Sequence, residues 1–203
     1  MLPRTRSGWL VACLFGIGFW QIGYGAWIPA KAWLAQGLMQ HAWTRAAAGD
    51  ASARPWPWAD TAPVARLSAQ QGNIELIVLA GGSGRTLAFA PGHLSSSVLP
   101  GDTGNSVIAG HRDTHFQFLQ TVGYGDELQV ERSDGRRLRF AVVAIDVVDA
   151  RVGSVVLDTD EPMLTLITCY PFTTTEVGGP LRYVVTAALL PAETQPTSAG
   201  RQH

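Results

Sequence analysis

Cys169 is the residue in this 203-residue chain whose setting most suggests covalent chemistry. It closes an apolar run, Met163-Leu164-Thr165-Leu166-Ile167-Thr168, and opens a loop rich in Pro, Thr and Gly. Strand ends over loops are where reactive groups become accessible. The only other cysteine, Cys13, lies in a stretch apolar enough to be a membrane helix, so a Cys13–Cys169 disulfide is excluded. Free cysteine is also among the most buried and inert residue types. The choice between an inert and a working thiol therefore turns on its partners.

A thiol nucleophile needs an acid or base nearby and a group to stabilise the developing oxyanion. Three histidines fall in the same part of the chain: His93, His111 and His115. His111 follows a short apolar run and Gly110, so it too ends a strand in a loop. His93, in the turn Pro91-Gly92-His93, reads as a structural hydrogen-bonding residue. His111 and His115 have a spacing that could bind metal on a helix, but no third ligand cluster accompanies them. Asp158, Asp160 and Glu161 cluster without a calcium-loop spacing and read as a solvated acidic loop. No metal or cofactor is expected. Arg182 opens the apolar run after the cysteine loop, and an antiparallel neighbour of the cysteine strand would carry it close to Cys169.

Those residues must be positioned by β-structure. Residues 73–80, 85–90, 105–109, 127–132, 137–148, 163–168 and 181–189 read as strands, with Gly81-Gly82-Ser83-Gly84 and Ser133-Asp134-Gly135 as turns. One short helix is expected over 114–122. Many short strands with Gly and Pro punctuation predict a mainly β sandwich or barrel. No periodicity marks residues 191–203, which read as a disordered tail.

The N-terminal part is different. Residues 9–28 are nearly all apolar, and twenty helical residues span about 30 Å, the thickness of a bilayer core. Arg4 and Arg6 precede this stretch and favour a cytoplasmic N-terminus. A cleaved signal peptide is the alternative, but its apolar core is shorter, roughly 7–15 residues. The organisation expected is a cytoplasmic segment 1–8, a transmembrane signal anchor 9–30, a stalk 31–63, an exported domain 64–190 and the tail. Within the stalk, residues 32–48 could be helical. All seven tryptophans lie at or before Trp58, as membrane-interface anchors or as a means of docking the stalk onto the domain. The net charge of −1, with 15% charged residues, gives no sign of a nucleic-acid partner.

Thr165-Leu166-Ile167-Thr168-Cys169 matches the sortase signature Thr-Leu-x-Thr-Cys at every fixed position. Leu181-Arg182-Tyr183-Val184-Val185 resembles the sortase arginine strand, and Ala109-Gly110-His111-Arg112 resembles its catalytic-histidine segment. The order His, Cys, Arg is also that of the family, and the likeness runs from about residue 64 to 189. Pro91-Gly92-His93, with Pro100-Gly101, resembles sortases of the class C to D kind. The Trp-Pro-Trp-Ala-Asp stretch is similar to the group found in proteobacteria. The lid of pilus-building sortases carries an Asp-Pro-aromatic order that residues 55–60 lack.

The resemblance implies a closed eight-stranded β-barrel with short helices, preceded by one transmembrane helix. It implies a transpeptidase in which Cys169 cleaves a Leu-Pro-x-Thr-Gly-like C-terminal sorting signal through an acyl-thioester. His111 would be the general acid and base, and Arg182 would stabilise substrate and oxyanion. The partners implied are a secreted protein bearing the signal, an amine acceptor and the bilayer that holds the enzyme. The implied location is the plasma or inner membrane, with the domain in the periplasm or at the cell surface. Two rival readings are an L,D-transpeptidase-like peptidoglycan enzyme and a non-enzymatic anchored β-domain. The first places an arginine shortly after a Gly-Cys, where this chain has Tyr170-Pro171-Phe172.

Overall fold

The computed structural model describes residues 4–70, 73–174 and 178–191. The tail expected over 191–203 lies, from residue 192, outside the described residues. Backbone contacts divide the chain into two units, Met1–Leu38 and Met39–His203.

The first unit belongs to helix α1, which spans Arg4–Ala47. Among the described residues, one helical stretch, Val11–Ala47, is long and apolar enough to cross a membrane. Its most apolar window has no buried residue, and Leu14, Phe15, Phe19, Trp20 and Tyr24 are all exposed. An all-round apolar surface is what a membrane span presents, whereas a helix on a soluble core keeps a polar face.

The second unit contains the end of α1 and a closed barrel. Its strands are β1 (Pro63–Ala69), β2 (Ile74–Ala80), β3 (Gly92–His93), β4 (Asn105–Ala109), β5 (Glu127–Arg132), β6 (Arg137–Asp149), β7 (Met163–Cys169) and β8 (Leu181–Leu189). Around the barrel the order is β1-β2-β3-β4-β7-β8-β6-β5, and β1 pairs with both β2 and β5 to close it. The β2–β3 and β4–β7 pairs are parallel, and the others are antiparallel. Inward positions alternate with outward ones: Ala65, Leu67 and Ala69 on β1 face the core, where they meet Val78, Ile108, Leu128, Phe140, Leu164, Leu166 and Val185. Each fully buried large apolar side chain stabilises the fold by about 1.5–3 kcal/mol relative to exposure.

The expected eight-stranded, mainly β barrel with short helices is the fold observed. Four local readings differ. Residues 85–90 are not a strand: Ser83 caps a short helix α2 (Gly84–Leu87), its hydroxyl accepting from the Thr86 amide at 3.2 Å. β1 was not separated from the chain before it, and β3, read as a turn, is a two-residue strand. The helix expected over 114–122 is a shorter 3-10 turn at Gln117–Thr121.

The tryptophans of the second unit divide between docking and exposure. Trp43 is buried, with the Arg66 guanidinium 5.2 Å from its ring centroid. Trp56 packs edge-on against Phe89 at 5.0 Å. Thr61 donates to the Ala80 carbonyl at 2.7 Å, so the Pro-rich segment lies against the barrel. Trp58, by contrast, is 82% exposed.

Candidate active site

Cys169 is the last residue of β7, half-buried, on the outward side of the strand. Leu164, Leu166 and Thr168 alternate inward, and that alternation turns Cys169 away from the core. The two threonines before it lock β7 to its parallel neighbour. Thr165 donates to Asn105 Oδ1 at 2.9 Å, and Thr168 donates to the Gly110 carbonyl at 2.7 Å. Asn105 in turn donates to the Val156 carbonyl at 2.8 Å, fixing the β6–β7 loop.

His111 lies just past β4. The parallel register pairs Ala109 with Ile167, and two more residues along each chain bring His111 alongside Cys169. The Gly110 amide donates to the Ile167 carbonyl at 3.1 Å, which extends that register. Gly110 is needed for a packing reason: a Cβ there would lie 2.8 Å from the ring of the fully buried Phe116. The Phe116 amide returns to the His111 carbonyl at 2.9 Å, so the same aromatic anchors the histidine's backbone.

Arg182 is the direct antiparallel partner of Cys169 across β7 and β8. Its Nη1 donates to the carbonyls of Gly179 and Leu181, at 2.6 and 2.9 Å. A pocket of about 300 Å³ opens here, lined by His111, Arg112, Asp113, Cys169, Pro171 and Leu181, among others. His111 and Cys169 thus share one pocket, with Arg182 adjacent by register and turned onto the loop at the rim. Beneath the cysteine loop, Tyr183 stacks on Tyr170 at 6.0 Å and meets Phe172 edge-on at 5.1 Å. Burial pushes the Tyr183 phenol up.

Of the other histidines, His93 is buried, with Nε2 2.8 Å from the Val98 carbonyl and 3.2 Å from the Ser97 hydroxyl. That is the structural role its turn suggested. His115 is held below its ordinary value, first by burial and then by repulsion from the nearby His111. It does not line the pocket.

Two residues at the pocket escaped the sequence reading. Arg112 is 6% exposed and engages both oxygens of Asp113, from Nε at 2.6 Å and Nη2 at 3.0 Å. This hydrogen bonding holds the Asp113 carboxyl below its usual value, with the charge of Arg112 and then of His111 adding to it. The signal available was the basic–acidic pair directly after His111.

Residues 67–190 match the family model of the sortase domain. The chain belongs to the sortase family. Sortase D of Bacillus subtilis (strain 168) is 34% identical over 115 residues, an alignment covering 56% of this chain and 57% of that relative. The match therefore spans little more than half of the relative's length. Among solved structures, sortase C-1 from Actinomyces oris superposes with a TM-score of 0.57 at 31% identity, covering 64% of this chain and 73% of that one. A lid mutant of sortase A from Corynebacterium diphtheriae gives a TM-score of 0.61 at 25% identity, covering 82% and 97%. Sortases are cysteine transpeptidases, and the eight-stranded barrel found here is the sortase fold.

Proposed function

We propose that this sortase cleaves a C-terminal sorting signal of the Leu-Pro-x-Thr-Gly type and transfers the upstream protein to an amine. The observation that supports this best is the register itself. Cys169 is flanked on one side by the His111 segment and on the other by Arg182, at the mouth of one pocket.

In this reading the thiol proton of Cys169 passes to His111, and the sulfur attacks the carbonyl carbon of the threonine–glycine bond. The carbonyl π electrons move to oxygen, and Arg182 stabilises that oxyanion once substrate displaces its contacts with Gly179 and Leu181. As the oxyanion collapses, the C–N bond breaks and His111 protonates the departing amine. The product is an acyl-thioester on Cys169. An incoming amine then attacks that carbonyl and gives its proton to His111, and the thiolate leaves as the new amide forms. Proton transfer of this kind contributes about 10²–10⁴-fold.

The same reading assigns residues 9–30 as an uncleaved anchor, 31–63 as the stalk and 64–190 as the catalytic domain. The N-terminus is cytoplasmic and the barrel extracytoplasmic, so enzyme and membrane-retained substrate meet at one membrane face. The missing Asp-Pro-aromatic order in residues 55–60 argues against a pilus polymerase, and the likeness to Sortase D of Bacillus subtilis supports a class D-like enzyme.

The test uses the full chain in detergent micelles with a Leu-Pro-x-Thr-Gly peptide and hydroxylamine. Threonyl hydroxamate that is absent in Cys169→Ala and His111→Ala supports the assignment. Undiminished product in either variant removes that residue from its role.

A further inference from the structure

Arg112 has no part in the reaction outlined above, yet among the described residues lining the pocket it is the most buried charge. Desolvating a cation is costly unless every edge finds a partner. One edge of its guanidinium meets Asp113, and Nη1 donates to the Pro171 carbonyl at 2.7 Å. Pro171 is two residues past Cys169, and Arg112 is one residue past His111. A single side chain therefore ties the histidine segment to the loop that leaves the cysteine, across 59 residues of sequence. Three of the five guanidinium N–H donors are thus engaged within the protein. The hydrogen bonds it donates to Asp113 hold Arg112 above its usual value, and the charge on Cys169 acts in the same direction.

We propose that Arg112 is a positioning residue of this site, locking the His111 segment to the Cys169 loop and fixing a positive charge beside the sulfur. The proposal rests on Cys169 being the nucleophile. Negative charge passes from sulfur to the carbonyl oxygen when the thioester forms, and from the carbonyl oxygen back to sulfur when the amine resolves it, so a cation that does not move favours both anionic states. The other charged or ionisable groups near Cys169, among the described residues, include His111 and Asp113 just past β4, Arg182 and Tyr183 on β8 and Tyr170 in the loop. Asp113 partly offsets the charge of Arg112. Removing either member of the pair should therefore move the local potential in opposite directions.

The experiment compares alkylation of Cys169 by iodoacetate and by iodoacetamide in the full chain, read by mass spectrometry. The ionised fraction of the thiol is common to both reagents and cancels in the ratio of rates, which then reports the local potential. Arg112→Gln should lower the iodoacetate-to-iodoacetamide ratio about threefold, as expected for a unit charge several ångströms away near solvent. Asp113→Asn should raise the ratio, and Arg112→Lys should keep it near wild type. In transfer assays Arg112→Gln should lower kcat about tenfold with KM nearly unchanged, and Arg112→Lys should recover part of the loss. Asp113 is 69% exposed, so its variant keeps the test open if Arg112→Gln fails to fold.

Ratios that do not move in the variants that fold would overturn the proposal. So would a loss confined to KM, which would make Arg112 a substrate contact. Wild-type Cys169 that resists both reagents, with transfer persisting in Cys169→Ala, would remove the nucleophile assignment and this proposal with it.

Discussion

Thr168→Val isolates the contact that ties the cysteine strand to the histidine segment. Thr168 is 2% exposed, and its hydroxyl donates to the Gly110 carbonyl at 2.7 Å. Valine keeps the β-branched shape that suits a strand and removes only the donor. Losing one such bond costs about 1 kcal/mol, and leaving a buried acceptor unpaired brings the cost to about 1–3 kcal/mol. A domain of this size loses about 2–4 °C of Tm per kcal/mol, so the melt should fall by several degrees. Folded stability is typically about 5–15 kcal/mol, so the variant stays folded at 25 °C and any lost activity reflects geometry. Gly110 carries the chain into His111, and a small displacement there should lower kcat about tenfold or more. Thr165→Val is the matched control. It removes a similar buried bond, to Asn105, nearer the start of β7 and away from the pocket. It should lower Tm comparably and leave kcat nearly intact. Thermal melts and steady-state transfer assays on both variants decide the matter. Equal kcat losses, or full activity in Thr168→Val, would refute the link between this bond and catalysis.

Three further outcomes are expected. Gly110→Ala forces a methyl against the Phe116 ring and should destabilise by about 1–3 kcal/mol, read by chemical denaturation, while also lowering transfer. His111→Ala should abolish transfer without changing the melt, whereas His115→Ala, outside the pocket, should reduce it far less; equal losses would reverse the choice of histidine. Hydrogen bonding and charge from Arg132, with Arg136 adding to them, hold the Asp102 carboxyl below its ordinary value. A depressed folded value means that the unfolded chain binds the proton more readily. The stabilisation is therefore present above about pH 4 and lost as pH falls through the folded value. Asp102→Asn should melt lower than wild type at pH 7, and the gap should close on acidification.

Much of the barrel was legible because its strands are short, apolar and separated by Gly and Pro. The Thr-Leu-Ile-Thr-Cys run pointed to the thiol, strand pairing was expected to carry Arg182 close to it, and the resemblance to sortases singled out His111 among three histidines. What escaped depended on contacts between distant segments. β3 has only two residues, and its pairings with β2 and β4 have no local period to read. Residues 85–90 look apolar enough for a strand, but the Ser83 cap and the Phe89–Trp56 contact decide otherwise. The tryptophans left two readings open, and burial divides them, Trp43 within the fold and Trp58 exposed. Arg112 entered only as part of the stretch resembling the sortase histidine segment, with no role of its own. Only its bond to Pro171, far along the chain, marks it as part of the site.

The most direct measurement is intact-mass analysis of the full chain after brief incubation with the sorting peptide and no added amine. The account predicts an acyl adduct that maps to the peptide containing Cys169, is released by hydroxylamine and is absent from Cys169→Ala. Peptide cleavage with no adduct on Cys169, or cleavage that persists in Cys169→Ala, would contradict it.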